Sequence, residues 1–213
     1  MEAIADKIEH TVLGPETTWT DVKTVLEEAS QYEMRACIPP CYLEQANEYE
    51  PSVDLTTVVG FPHGQHLTET KCQEASHAWA AGAAEIDVVA NIGYIKSGHF
   101  DTLKSELGEV VAAVPVPVKV ILEAPLLTDE ELKNASRVAA EADVDYLKTA
   151  TGFSEGGATV HDVELMSRHK PVKASGGVGS WSFAKELFNA GATRIGASSG
   201  VAIVEGYREK HRD

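Results

Sequence analysis

Apolar positions along the chain recur with two periods that take turns. Short runs rich in valine, isoleucine and leucine lie at 8–12, 35–38, 55–59, 84–89, 118–122, 145–148, 172–174 and 193–195, and such runs predict strands. Between them, segments near 19–32, 41–47, 67–81, 99–113, 128–141, 159–168, 180–190 and 199–206 carry apolar residues at helical spacing. Two of these announce their starts. Thr128-Asp129-Glu130-Glu131 has the spacing of a capping box, and Thr18-Trp19-Thr20-Asp21 is a weaker version. Gly82 and Gly191, each inside an Ala-Gly-Ala triplet, suit the C-terminal ends of the third and seventh helices.

Repeated strand-then-helix units predict an α/β protein whose parallel strands close as a (β/α)8 TIM barrel, with residues 1–213 as one domain. The alternative is an open doubly wound sheet. Such a sheet normally carries G-x-G-x-x-G after its first strand, and that motif is absent here. A barrel places chemistry at the C-terminal ends of its strands. His10, Cys37, the Gly60-Phe61-Pro62-His63-Gly64 turn, Asp87, Glu123, Lys148, Lys173 and Gly196 all fall at or near predicted ends.

Two predicted strands end in lysine followed by small residues: Leu147-Lys148-Thr149-Ala150-Thr151-Gly152 and Val172-Lys173-Ala174-Ser175-Gly176-Gly177. Lysine is seldom buried unless it is paired or used. An amine must be neutral to attack a carbonyl, and burial beside a second cation favours the neutral form. Lys148 is therefore the candidate nucleophile and Lys173 the second cation. The plainer reading is one salt-bridged lysine and one that reaches to solvent. Asp87, in Glu85-Ile86-Asp87-Val88-Val89, is flanked by apolar residues. A buried carboxylate must be paired or must work as an acid or base. Lys119 lies further back on its strand and is a rival nucleophile; its expected role is as a deeper partner of a carboxylate such as Asp87.

The turns Thr151-Gly152, Ser175-Gly176-Gly177 and Gly196-Ala197-Ser198-Ser199-Gly200 offer backbone amides to an anion after the last three strands. Cys37 and Cys41 lack the second pair or histidine motif that a metal site needs, and Cys37 is expected as a small buried side chain. No metal, nucleotide or flavin signature is present, so no cofactor is expected. His63 is placed at a pocket mouth, His161 and His169 on the surface, and Trp19, Trp79 and Trp181 in packing roles.

Charge narrows the partners. With 33 acidic and 18 basic residues the net charge is −15, which disfavours nucleic acid and anionic membranes as partners. A phosphate site would have to be built locally, from amides and a few lysines. The acidic residues are spread over predicted helix surfaces, a composition suited to a high-salt interior. A polar N-terminus, no apolar stretch of membrane-spanning length and only three cysteines point to the cytoplasm.

Taken in order, Glu9-His10-Thr11-Val12-Leu13, Ala36-Cys37-Ile38-Pro39-Pro40, Val58-Val59-Gly60-Phe61-Pro62-His63-Gly64, Glu85-Ile86-Asp87-Val88-Val89, Val118-Lys119-Val120-Ile121-Leu122-Glu123, Leu147-Lys148-Thr149-Ala150-Thr151-Gly152-Phe153, Val172-Lys173-Ala174-Ser175-Gly176-Gly177 and Arg194-Ile195-Gly196-Ala197-Ser198-Ser199 resemble the deoxyribose-phosphate aldolases, a class I aldolase family, over nearly the whole chain. The resemblance implies a barrel, no cofactor, and reversible cleavage of 2-deoxy-D-ribose 5-phosphate to D-glyceraldehyde 3-phosphate and acetaldehyde. It makes Lys148 the Schiff-base lysine, Lys173 the residue that keeps its amine reactive, and Asp87 the proton carrier. Gly152, Gly176, Gly177, Gly196, Ser198 and Ser199 match phosphate-holding positions, with Lys119, Glu9 and Cys37 behind the catalytic group. Glu9 replaces the family's usual aspartate, Gly14 a common lysine, and Gly179 a frequent arginine; the terminal tyrosine of some relatives has no counterpart. The resemblance also implies a homo-oligomer, a dimer or larger. Another phosphate-binding barrel lyase or transaldolase, and a non-catalytic sugar-phosphate binder, are the alternatives.

Overall fold

The computed structural model describes residues 4–211. Its strands are β1 (Ile8–Thr11), β2 (Arg35–Ile38), β3 (Leu55–Val59), β4 (Glu85–Val89), β5 (Val118–Ile121), β6 (Tyr146–Lys148), β7 (Val172–Ser175) and β8 (Ala192–Ala197). Each pairs in parallel with the next, and β8 pairs with β1 to close the barrel. The helices are α1 (Trp19–Tyr32), α2 (Leu43–Tyr49), α3 (Thr68–Ala80), α4 (Ile92–Lys96), α5 (Phe100–Ala112), α6 (Asp129–Glu141), α7 (Val160–Met166), α8 (Trp181–Asn189) and α9 (Gly200–Lys210). The expected barrel is the fold observed.

Successive side chains of a strand point to opposite faces, and this period divides the residues between two interiors. On β4, Ile86 and Val88 face outward into the apolar layer under the helices, as do Val118 and Val120 on β5, Leu147 on β6, and Val172 and Ala174 on β7. Leu103 and Leu107 of α5, Leu132 of α6 and Leu187 of α8 belong to the same layer. Fully burying a side chain of this size contributes roughly 1.5–3 kcal/mol, so this shell between barrel and helices dominates the stability. The alternate residues Glu85, Asp87, Lys119, Lys148 and Lys173 are left to fill the barrel itself, and all are buried. Barrels of this kind usually fill that space with branched aliphatic residues.

Local signals explain the element ends. The Thr128 amide donates to Glu131 Oε2 at 2.7 Å, and the Thr18 amide donates to Asp21 Oδ2 at 2.7 Å. Both capping boxes therefore form, including the weaker one. Gly82 and Gly191 both take positive φ after α3 and α8. Two features depart from expectation. The short helix α4 follows β4, started by Asn91, whose side-chain oxygen accepts from the Tyr94 amide at 3.3 Å; five residues are too few to display a helical period. Trp79 was placed in packing but is 45% exposed, because α3 presents a buried stripe of Lys71, Ala75 and Ala78 that excludes it.

Candidate active site

Asp87 lies at the centre of the barrel interior, with no exposure to solvent. Lys148 Nζ donates to its Oδ2 at 2.8 Å, and Lys173 Nζ donates to the same oxygen at 2.6 Å. Lys119 Nζ stands 3.1 Å from the other oxygen, Oδ1. Strand register explains this meeting. Asp87 is level with Lys119, Lys148 with Lys173, and Lys148 with Ile121 rather than Lys119. Lys119 therefore sits two residues below Lys148, some ~6–7 Å down the barrel at normal strand rise, as its place in the sequence suggested.

Below this centre the charges continue. Lys173 also donates to Glu9 Oε2, and Glu9 Oε1 lies 3.5 Å from Lys119 and 3.2 Å from Arg194 Nη1. Glu85, two residues before Asp87 and so on the same face, pairs with both Lys119 and Arg194, and lies 3.3 Å from Arg35 Nη1. Glu9 is thus an interior counter-ion beneath the cavity, fully enclosed, and makes no contact at the cavity mouth. Burial penalises charge, but at Glu9, Asp87 and Lys173 neighbours of opposite sign outweigh it. Glu9 is lowered from 4.5 to about 2 against its own desolvation by Lys119 and Lys173. Asp87 is likewise held well below the carboxylate range by Lys119, Lys148 and Lys173. Lys173 is shifted upward, desolvation notwithstanding, by Asp87 and Glu9, and stays a cation. The Cys37 thiol, desolvated by burial, is pushed up to about 11 and remains protonated. Although donor atoms of Glu9, Cys37 and Asp87 lie within 4.8 Å of one another, the carboxylates are already neutralised by lysines and the thiol is not a thiolate. This set does not fit a metal ion.

Above Lys148 opens a cavity of about 500 Å³. Its walls include the expected Gly152, Gly176, Gly177, Gly196, Ser198 and Ser199, together with Gly14 and Gly179. Lys148 is the sole charged side chain lining it among the described residues. Gly176 needs glycine on two counts: its φ is +95°, and a Cβ there would stand 3.0 Å from Gly157 Cα and 3.2 Å from Ala150 Cβ. Gly196 has a second duty that the sequence does not announce, since a Cβ there would stand 2.7 Å from Lys173 Cε. Its missing side chain is what lets Lys173 cross to Asp87. Ser199 precedes α9, so the dipole of that helix opens toward the cavity.

Residues that the sequence reading left out hold this arrangement. Thr149 Oγ1 donates to the Ser175 carbonyl at 2.8 Å and accepts the Ser175 amide at 2.9 Å, joining the ends of β6 and β7. Lys71 Nζ, buried on α3, donates to Glu106 Oε1 and to the Val89 carbonyl, both at 2.9 Å, tying α3 and α5 to the end of β4. Glu85 could have been found from its period-2 relation to Asp87. Arg194 gave no such signal, because its strand alternates only weakly.

The sequence model of the DeoC/LacD family aldolases matches residues 6–206 of this chain. The chain belongs to that family. Among curated relatives, the deoxyribose-phosphate aldolase of Haloarcula marismortui is 62% identical, covering 96% of this chain and 88% of its own length. That of Natronomonas pharaonis is 59% identical, covering 97% and 95%. Both relatives come from halophiles. Among solved structures, a deoxyribose phosphate aldolase from Aeropyrum pernix, described as having a unique tetrameric structure, superposes with a TM-score of 0.88 at 34% identity, covering 97% of this chain and 92% of that one. Membership of the DeoC/LacD aldolases agrees with the closed barrel.

Proposed function

We propose that this chain reversibly cleaves 2-deoxy-D-ribose 5-phosphate to D-glyceraldehyde 3-phosphate and acetaldehyde, with Lys148 as the imine-forming amine. The observation that carries this reading is the position of Lys148, among the described residues the sole charged group lining a cavity otherwise walled by amide-rich turns, sharing an oxygen of Asp87 with Lys173. Family membership, and the name borne by relatives at up to 62% identity, support the substrate.

In the cleavage direction Lys148 Nζ adds to C1 of the open-chain aldehyde, and loss of water from the carbinolamine gives a protonated imine. The C2–C3 electron pair then moves toward the imine carbon as the C3 hydroxyl loses its proton. C3 becomes the aldehyde of glyceraldehyde 3-phosphate, and an enamine stays on Lys148. Protonation at C2 and hydrolysis release acetaldehyde and restore the amine. Asp87 carries these protons through water, with Lys173 fixed beside it as a cation. A carboxylate held so firmly charged keeps a proton only briefly, which suits a relay that returns it within the turnover. The phosphate rests on the turns bearing Gly152, Gly176, Gly177, Gly196, Ser198 and Ser199, and part of the acceleration comes from holding C2–C3 in line. Lys119, Glu9 and Cys37 act from behind, as charge balance and packing.

Residues 1–213 form one aldolase unit in this reading, working in the cytoplasm without cofactor, nucleic acid or membrane. The family match over 6–206 supports the first point. Among the described residues, no helix is long and apolar enough to cross a membrane. A homo-oligomer is part of the proposal, supported by the tetrameric Aeropyrum relative and by the exposed Leu67 and Trp79.

The test is sodium borohydride reduction in the presence of acetaldehyde, followed by peptide mass spectrometry, in low and in molar salt. An adduct on Lys148, with glyceraldehyde 3-phosphate released from deoxyribose 5-phosphate in an untrapped control, is the expected result. An adduct on Lys173 or Lys119 would overturn the residue assignment. No adduct in either salt, from protein shown to be folded, would overturn the imine mechanism.

A further inference from the structure

Glu123 stands two residues beyond the end of β5 and takes no part in the lysine centre. It is 3% exposed, and its backbone is left-handed, at φ 53° and ψ 55°. A bulky residue in that region carries a cost that its surroundings must over-determine, and such residues concentrate at functional sites. What holds Glu123 is the loop that follows Lys148. Its carboxylate accepts the Thr151 amide at 3.3 and 3.2 Å through its two oxygens, and Oε1 also accepts the Ser154 hydroxyl at 2.9 Å. The next residues extend the contact: a Cβ at Gly156 would stand 3.0 Å from Pro125 Cβ. Beyond them the Ala158 amide donates to the Gly176 carbonyl at 3.0 Å.

Glu123 is thus the first link in a chain of contacts from the end of β5, through residues 151–158, to the Gly176 turn. Gly152, at the cavity wall, lies between its two anchor points, Thr151 and Ser154. The Thr151 amide, consumed by Glu123, points away from any anion in the cavity, so the loop is held with a defined face toward it. Hydrogen bonds to a charged acceptor are the stronger kind, and this acceptor is shielded from water.

We propose that Glu123 is a positioning residue for the phosphate end of the substrate: it clamps the loop after Lys148 so that the Gly152 and Gly176 turns form one anion seat. This rests on the function proposed above. It separates two properties, because the seat serves phosphate while Lys148 is held within the barrel by its bond to Asp87, which Lys173 shares.

The test compares wild type with Glu123→Gln, Glu123→Ala and Ser154→Ala in two assays. One is KM for deoxyribose 5-phosphate, together with competitive inhibition by inorganic phosphate. The other is borohydride trapping of Lys148 by acetaldehyde, which carries no phosphate. Misplacing a positioning element by about an ångström costs up to ~100-fold. On that scale the Glu123 variants should raise KM and the phosphate inhibition constant together by about tenfold, with Ser154→Ala moving both less. The rate of acetaldehyde trapping should stay within about twofold. Equal losses in both assays would overturn the proposal and place Glu123 in general folding or in the lysine centre. Unchanged phosphate affinity in a folded Glu123→Gln or Glu123→Ala protein would also overturn it. Failure of the wild type itself to trap acetaldehyde would instead count against the imine chemistry.

Discussion

Asp87 and Glu9 show how the barrel holds Lys173 as a cation beside Lys148. Lys173 contacts both carboxylates, whereas Lys148 reaches Asp87 alone and opens to the cavity. The arrangement is expensive, since each buried ion gives up several kcal/mol of hydration that only its partners return. Stability must therefore depend on pH. Glu9 titrates near 4.5 when unperturbed and at about 2 in the fold, so below 4.5 the unfolded chain binds more protons than the native one. Stability from this group is complete above about pH 5 and is lost as pH falls toward 2. Urea unfolding measured from pH 6 to pH 2 should show this decline, and Glu9→Gln should start from lower stability with a flatter acid limb. A variant whose acid limb is as steep as wild type would show that Glu9 does not carry the linkage.

Among the elements, the loops after β6, β7 and β8 and the start of α9 contribute amides, hydroxyls and a helix dipole to the cavity but no cationic side chain. Gly14 and Gly179, which carry no side chain, both face it. Attraction by short-range dipoles survives salt better than attraction by a flexible surface cation, because the screening length falls to ~3 Å in molar salt. A Cβ at Gly179 would meet nothing within 4 Å, so the loop has room for a larger residue. Gly179→Arg should lower KM for deoxyribose 5-phosphate severalfold in dilute buffer, and the gain should vanish in molar KCl. Steady-state kinetics at the two salt concentrations decide it, and a gain of equal size in both would contradict the dipole account. The strand periodicity and the small residues that follow each strand placed these loops together at one end of the barrel, where they line the cavity. They did not show that Gly196 also clears a path for Lys173, nor that Glu123 anchors the first loop, because both depend on contacts between residues far apart in sequence.

At the scale of the molecule, a net charge of −15 surrounds an interior whose buried ions are paired. Self-repulsion of the surface opposes compaction most when it is unscreened. Exposed pairs such as Arg137–Glu141 and Lys104–Glu141 are of the kind that returns little. The melting temperature should accordingly rise from millimolar to molar KCl, while the buried lysine–carboxylate cluster, out of reach of mobile ions, keeps the barrel closed at both. Calorimetry across that range checks this, and a melting temperature that is flat or falls with salt would refute it.

The alternation of strand and helix, the barrel, the two lysines at strand ends and the glycine-rich turns were readable from the chain alone. These are written in local periodicity and in residues whose burial has few explanations. The tertiary structure alone decided which charges share Asp87, that Glu85 and Arg194 complete the floor, and that Glu9 pairs with Lys173, Lys119 and Arg194. Register between strands distant in sequence sets those distances, and a one-residue slip would have turned each of these side chains toward the helices.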